Sequence, residues 1–329
     1  MFARKTTKIL SGLLLLLSIG IAGEQAAERL DATSFPPPGR FATVNGHAIH
    51  AYCAGEGNAT VVFTAGWKIP SPYVDLYPLH QAIAGQARTV VYDRPGYGWS
   101  EKTSMPREID VLAKEMHATL AELQEKPPYI LVAHSIGSLE ALRFAQLYKD
   151  EVKGVVLIDG SNPEMYSVVK PPSTFARLRF SCTNFLIYAA NKTGLSRLLF
   201  RFVPGFYMKT PLGAARNHLD KTPQGFPELD AAMFLKTFDN ANQVAEGDNK
   251  VENCATVASH GYLGDTPLTI LTSQQLREYS ESWENQQNLK KWSRNASHIL
   301  VPEAGHAIHW THPEVINEAI RRMLRQKDS

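Results

Sequence analysis

YILVAHSIGSLEALRFAQLY, residues 129–148, changes character halfway along. Tyr129–His134 is a short apolar run of the kind that forms a buried strand. Ser138–Tyr148 repeats its apolar residues at helical spacing, through Leu139, Leu142 and Ala145. Between the two lies AHSIG, residues 133–137. A strand that turns sharply into a helix lifts the residue at the turn above the sheet edge, and the crowded backbone there needs small neighbours. Ala133 and Gly137 are small, so Ser135 is the candidate nucleophile.

On both sides of this segment, strand-like runs alternate with helical patterns. Arg40–Ala54 holds Asn45-Gly46 between two apolar runs, a hairpin signal. TVVFTA (60–65), RTVVYD (88–93), VKGVVLID (152–159), PLTILT (267–272) and HILVPEA (298–304) read as strands. Residues 107–125, 282–293 and 313–324 read as helices. This alternation predicts an α/β fold around a mostly parallel, doubly wound sheet. The alternation stops between Gly160 and Gly264, where 185–190 and 195–203 have helical apolar faces. The expected organisation is therefore a core from 40–160 and 265–329, with a helical cap at 161–264.

The first residues differ from the rest. Arg4, Lys5 and Lys8 precede an apolar run from Ile9 to Ala22, shorter than the roughly 20 residues that cross a bilayer comfortably. Residues 1–30 can be a cleaved secretory signal, an N-terminal anchor or a buried core helix. The first two readings export the catalytic body, as a secreted, periplasmic or membrane-anchored protein, with membrane association through residues 9–22. Residues 31–39, DATSFPPPG, read as a Pro-rich linker. The three cysteines, Cys53, Cys182 and Cys254, suit no metal site. In an exported protein, Cys182 and Cys254 are the expected pair. The net charge is +2 with dispersed Lys and Arg, which argues against a nucleic-acid partner. No cofactor is expected.

A serine nucleophile needs a base and an oxyanion site. AGHAIHW (304–310) follows a late strand, and His306 after Gly305 is the candidate base, with His309 and His298 as competitors. TAGW (64–67) follows an early strand. The backbone N–H groups of Trp67 and of Ile136, directly after the nucleophile, are the candidate oxyanion donors. The other reading of Trp67 is a pocket wall.

With these segments together, residues 40–325 resemble the α/β-hydrolase superfamily. DRPGYGWSE (93–101) is similar to the family's turn after its fourth strand, and VVLIDGSNPE (155–164) to the segment leading into a cap after strand 6. The resemblance implies a serine-nucleophile, esterase- or lipase-like branch, because relatives that open epoxides or carbon–halogen bonds carry Asp at the elbow. It also implies an acid, usually Asp after the seventh strand. That loop here, TSQQLREYSES, has only Glu278 and Glu281. The alternative family position, after the sixth strand, holds Asp159. Asp159 is thus the leading acid, with Glu278 and Glu281 open. The expected reaction is cleavage of a carboxylic or lipid-like ester through an acyl-enzyme. The same triad would serve an aminopeptidase, an amidase or an acyltransferase, and the fold also occurs in binding proteins without catalysis. Glu228, Asp230, Asp239 and Glu246 would have to supply the acidic pocket that an aminopeptidase needs. The aromatic residues of 175–207 either pack the cap or line an apolar pocket, and 185–207 could also lie on a membrane surface.

Overall fold

A computed structural model describes residues 2–165, 173–203, 205–209, 218–278 and 280–326. The chain opens on helix α1 (Phe2–Ser34) and enters the hairpin β1 (Arg40–Val44) and β2 (His47–Ala54). The alternating part follows: β3 (Thr60–Thr64), α2 (Tyr77–Ile83), β4 (Arg88–Tyr92), α3 (Ile109–Glu122), β5 (Tyr129–His134), α4 (Gly137–Leu147) and β6 (Val152–Ile158). Between β6 and β7 (Leu268–Ser273) come helices α5 (Thr174–Lys192), α6 (Leu195–Phe202), α7 (Phe226–Thr237), α8 (Ala241–Asp248) and α9 (Lys250–Ser259). The chain closes with β8 (Ala296–Val301) and α10 (Pro313–Arg325).

The eight strands form one sheet in the order β1-β2-β4-β3-β5-β6-β7-β8. β1 and β2 pair antiparallel, as does β2 with β4, and the remaining pairs are parallel. The fold class expected from the alternation is the one observed. β8 begins at Ala296, two residues before the apolar run that signalled it, because Ala296 and Ser297 already pair with Leu268 and Thr269.

The strands are buried on both faces, so side chains alternate between two cores. Val62, Leu131, Val155 and Ile270 face Leu112 and Met116 of α3 and Leu142 of α4. Val61, Ile130, Val132 and Val156 face Leu79 and Ile83 of α2 and Ile316 and Ile320 of α10. His80 of α2 is also buried, and its Nε2 donates to the Tyr73 carbonyl. Burial disfavours the imidazolium and lowers its pKa from 6.5 to about 4. The unfolded chain therefore takes up this proton first as pH falls. The associated stability is complete above the ordinary histidine value and drains away toward pH 4. We expect about 2 kcal/mol to be lost between pH 7 and pH 5 through this side chain. Urea unfolding at the two pH values, with His80→Gln as the pH-insensitive comparison, measures it.

By packing, the chain divides into two units: Pro37–Pro171 with Asn240–Ser329, and Met1–Pro36 with Pro172–Asp239. This differs from the expected cap limits. α8 and α9 belong with the sheet, because Cys254 and Val257 of α9 sit in the core beneath α3 and α4. The linker reading of 31–39 is also corrected at its start. α1 continues to Ser34, since GEQAAERLDATS contains good helix formers and no proline. The first helix is 33 residues long, more than twice the apolar run within it. From Leu10 to Ser34 it is long and apolar enough to cross a membrane, and only 6% of the apolar window is buried, so it is no core helix.

Inside the second unit, Phe200, Tyr207 and Phe234 pack as a ring cluster, with centroids 5.1 and 5.4 Å apart. Tyr207 Oη donates to Asp230 at 2.6 Å. The other aromatic residues behave differently: Phe175, Phe180, Phe185 and Phe202 are exposed. The cysteine expectation fails, as all three thiols are free. Cys254 is completely buried in the sheet's core and Cys182 is exposed on α5, so the two do not share an environment.

Candidate active site

Register determines where chemistry can occur in this sheet. Thr64 pairs with Ala133, His134 with Ile158, Ile158 with Leu271, and Ser273 with Val301. β3, β5, β6, β7 and β8 therefore end level with one another. The loops that follow them, carrying Trp67, Ser135, Asp159, Gln275 and His306, gather at the carboxyl edge, where open α/β sheets place their sites.

Ser135 has φ +54°, the left-handed region that non-glycine residues rarely occupy. The turn is held by Ser135 N–H donating to Ile158 O and by Ser161 N–H donating to Ser135 O. Crowding is real on both sides. A Cβ on Gly137 would come within 2.7 Å of the Ala65 carbonyl oxygen, and one on Gly66 within 3.3 Å of Ser135 Cβ. Ala133, where the family usually has glycine, is fully buried and fits. Ile136 caps the start of α4, so its N–H is among those that a helix leaves without an internal partner.

Asp159 directly follows β6 and also has positive φ, +46°. Its buried carboxylate accepts from the Ser273 N–H at Oδ1 and from Ser273 Oγ at Oδ2, both at 2.7 Å. Oδ2 also lies 3.1 Å from His306 Nδ1. The structure thus brings Asp159 and His306 together. Of the alternatives, Glu278 is solvent-exposed, and the side chain of Glu281 lies outside the described residues. Ser273, which ends β7, holds the Asp159 carboxylate in place.

The His306 backbone is tied at both ends. Its N–H donates to Gln275 Oε1, and its carbonyl lies 3.1 Å from Nε2 of His134, the residue before Ser135. Burial holds His134 well below the usual histidine range, so it is neutral and donates through Nε2. The His306 side chain is half exposed, leaving its Nε2 edge accessible. The competing histidines are engaged elsewhere. His298 Nε2 pairs with the Thr272 hydroxyl at 2.8 Å, and buried His309 lies 3.2 Å from Asp75 Oδ2. Among the described residues, Asp75, His134 and His309 bring one ligand-type atom each within 4.8 Å of one another, an arrangement that could hold a metal ion. Asp75 is already shared with His309 and with the Trp310 indole N–H.

The Trp67 loop is set by a buried arginine that sequence reading passed over. Arg94 donates to the carbonyls of Ala65 and Gly66, both at 2.9 Å, and pairs with Glu140 and Glu246. A trans peptide points its C=O and N–H in opposite directions. Holding the Gly66 carbonyl therefore turns the Trp67 N–H away from Arg94. The Trp67 indole donates to Gln243 O at 2.7 Å, and the ring packs on Gly247. Asp93, before Arg94, fixes its own turn by accepting from Trp99 N–H at 3.0 Å, and a Cβ on Gly98 would overlap that carboxylate. Of the supporting residues, His134 and Arg94 lie within AHSIG and DRPGYGWSE, whose patterns point to Ser135 and to a turn, and Ser273 and Gln275 carry no motif. The only signal was a charged Arg94 inside an otherwise turn-forming segment.

The Alpha/beta hydrolase family model matches residues 61–319. Over 96% of this chain, and 95% of its own length, the uncharacterized protein YbdG of Bacillus subtilis (strain 168) is 26% identical. Among solved structures, the epoxide hydrolase CorEH superposes with a TM-score of 0.61 at 17% identity, covering 87% of this chain and 97% of that one. A thermophilic esterase from Thermogutta terrifontis does so with a TM-score of 0.57 at 17% identity, covering 87% and 97%. At such identity the superpositions establish the fold, and the family match carries the rest: the chain belongs to the alpha/beta hydrolase family.

Proposed function

We propose that the protein is a serine hydrolase that cleaves carboxylic esters through an acyl-enzyme. The observation that carries the reading is the Asp159–His306 pair, joined through His134 to the strained turn bearing Ser135. In the proposed mechanism, Ser135 Oγ attacks the ester carbonyl carbon while His306 Nε2 takes its proton. Asp159 orients Nδ1–H and stabilises the imidazolium. The N–H groups of Ile136 and Trp67 hold the oxyanion. Collapse expels the alcohol, which receives the proton from His306. Water, deprotonated by the same nitrogen, then releases the acid. No step needs a cofactor, and the expected substrate is a small or lipid-like ester.

The aminopeptidase reading has less support. Asp230 is hydrogen-bonded to Tyr207, and Glu246 is paired with Arg94 and Arg107, so two of the four acids proposed for an amine pocket have other partners. An acyltransferase would share every step up to the acyl-enzyme and differ in the acceptor. The test is labelling of the full chain with a fluorophosphonate, followed by peptide mapping, together with p-nitrophenyl esters of increasing acyl length. Adduct at Ser135 and ester turnover are expected. An unlabelled Ser135 would indicate a binding protein of the same fold.

Arg94 gives a further prediction. Arg94→Lys keeps the charge but cannot reach two carbonyls and two carboxylates together. A mispositioned Trp67 N–H should lower kcat on the order of 10²-fold with little change in KM. Comparing the KM-against-kcat split with a thermal melt separates this from simple destabilisation.

A further inference from the structure

We propose that the helical unit formed by α1, α5 and α6 is a lipid-facing platform: α1 stays in place as a membrane anchor, and the exposed faces of α5 and α6 seat on anionic headgroups. The proposal stands apart from the esterase reading.

The first argument is how α1 is held. Gly20, Glu24, Glu28 and Asp31 recur at helical spacing on one face of α1. Gly20 lies so close to α5 that a Cβ there would be 2.5 Å from the Thr193 carbonyl oxygen. Glu24 takes Arg197 bidentately at 2.7 and 2.8 Å, and the same guanidinium reaches Asp31 at 2.7 Å. Lys192 reaches Glu28 at 2.8 Å. Cleavage at the small residues Gly20–Gly23 would cut through this docked face. The geometry therefore favours a retained helix over a removed leader.

The second argument is depth. The apolar run Ile9–Ala22 spans about 21 Å of helix, and the turns carrying Arg4, Lys5 and Lys8 extend it to the far headgroups, where those long side chains can reach water. Leu13–Leu16 are all more than half exposed. With that segment in lipid, the docking point at Gly20 lies at the membrane surface, and α5 and α6 are held at headgroup level.

The third argument is what α5 and α6 present there. Phe175, Leu178 and Phe185 lie on one face of α5, and Leu195, Leu198 and Phe202 on one face of α6. Their exposure runs from 51% to 75%. Exposed apolar surface of this extent marks an interaction site. The charge identifies the partner. Residues 165–219 contain eight Lys or Arg and no Asp or Glu. Of the chain's 34 basic residues that leaves 26 against 32 acidic ones elsewhere, a net −6. Arg177, Arg179 and Arg201 lie exposed among the apolar side chains. Aromatic and aliphatic residues interleaved with arginine match an anionic lipid surface. A second copy of this cationic face would repel the first.

The protein carries its own reporter. Cys182 lies on the apolar face of α5, between Leu178 and Phe185, and is exposed. Burial pushes the Cys53 thiol up to about 11 and Cys254 to about 12, so a thiol-reactive, polarity-sensitive dye selects Cys182. Full chain labelled there is reconstituted in vesicles of phosphatidylcholine, with or without phosphatidylglycerol. In the anionic vesicles we expect blue-shifted emission, quenching by lipid-borne nitroxide, and several-fold less quenching by aqueous iodide than in phosphatidylcholine. Combined Arg177→Gln, Arg179→Gln and Arg201→Gln should reverse the shift while α1 stays inserted, as read by alkaline extraction. A dye that remains open to iodide in anionic vesicles overturns the proposal. So does shielding that follows protein density and ignores lipid charge, which would mean copy-to-copy docking, or a mature N-terminus beyond Gly20.

Discussion

Ser135→Ala should abolish ester turnover, with kcat falling by at least about 10⁴-fold. That corresponds to about 5.5 kcal/mol of lost barrier reduction. The alanine removes the only atom that can form the acyl-enzyme in the proposed mechanism, and it keeps the turn. Alanine at the same φ of +54° suffers the same backbone strain as serine, and Ser135 contributes to the turn through its N–H and carbonyl. The variant should therefore melt close to the unmodified protein. Steady-state hydrolysis of a p-nitrophenyl ester and a thermal scan together test this. Turnover retained within tenfold would remove Ser135 from the mechanism and leave the fold without its proposed nucleophile.

Asp159→Asn is the second large effect, expected on the order of 10⁴-fold in kcat. Oδ2 of Asp159 faces Nδ1 of His306, so the carboxylate requires a protonated Nδ1 and leaves Nε2 free to accept from serine. Asparagine can present an N–H at that point, which stabilises the opposite tautomer and blocks the base. Its other oxygen can still accept from the Ser273 N–H, so folding should suffer less than activity. Glu278→Gln serves as the comparison and should leave kcat within about twofold, because that side chain is exposed. If Glu278→Gln were the damaging change, the acid would be misassigned. Ser273→Ala should fall between the two, at about tenfold, since it removes one hydrogen bond from Asp159 and keeps the backbone one.

The charge distribution along the chain sharpens the reading of the N-terminal region. Net charge alone, +2, hides a cationic block in residues 165–219. In the sequence, the apolar run at 9–22 and the amphipathic stretch at 185–207 stand as separate features. In the folded chain Glu24, Glu28 and Asp31 tie the first to the second through Arg197 and Lys192.

Local sequence determined a good deal of this protein. Buried strands need continuous apolar runs, and the helices around them need a period near 3.6, so the eight strands and their order along the chain were legible. The sharp turn bearing Ser135 was legible too, because small residues beside it are a local requirement of a crowded backbone. Asp159 and His306 were legible only as candidates. Their pairing depends on β6, β7 and β8 ending level, which is a matter of strand register, for β6 and β7 between residues more than a hundred positions apart. The tertiary structure alone decided that Ser273, at the end of β7, holds Asp159, and that Arg94 turns the Trp67 loop. Arg94 acts on backbone carbonyls, and Ser273 acts in part through its own N–H, groups that every residue possesses and no motif records. The same holds for α8 and α9: whether their buried side chains meet the sheet or another helix depends on packing partners far away in the chain.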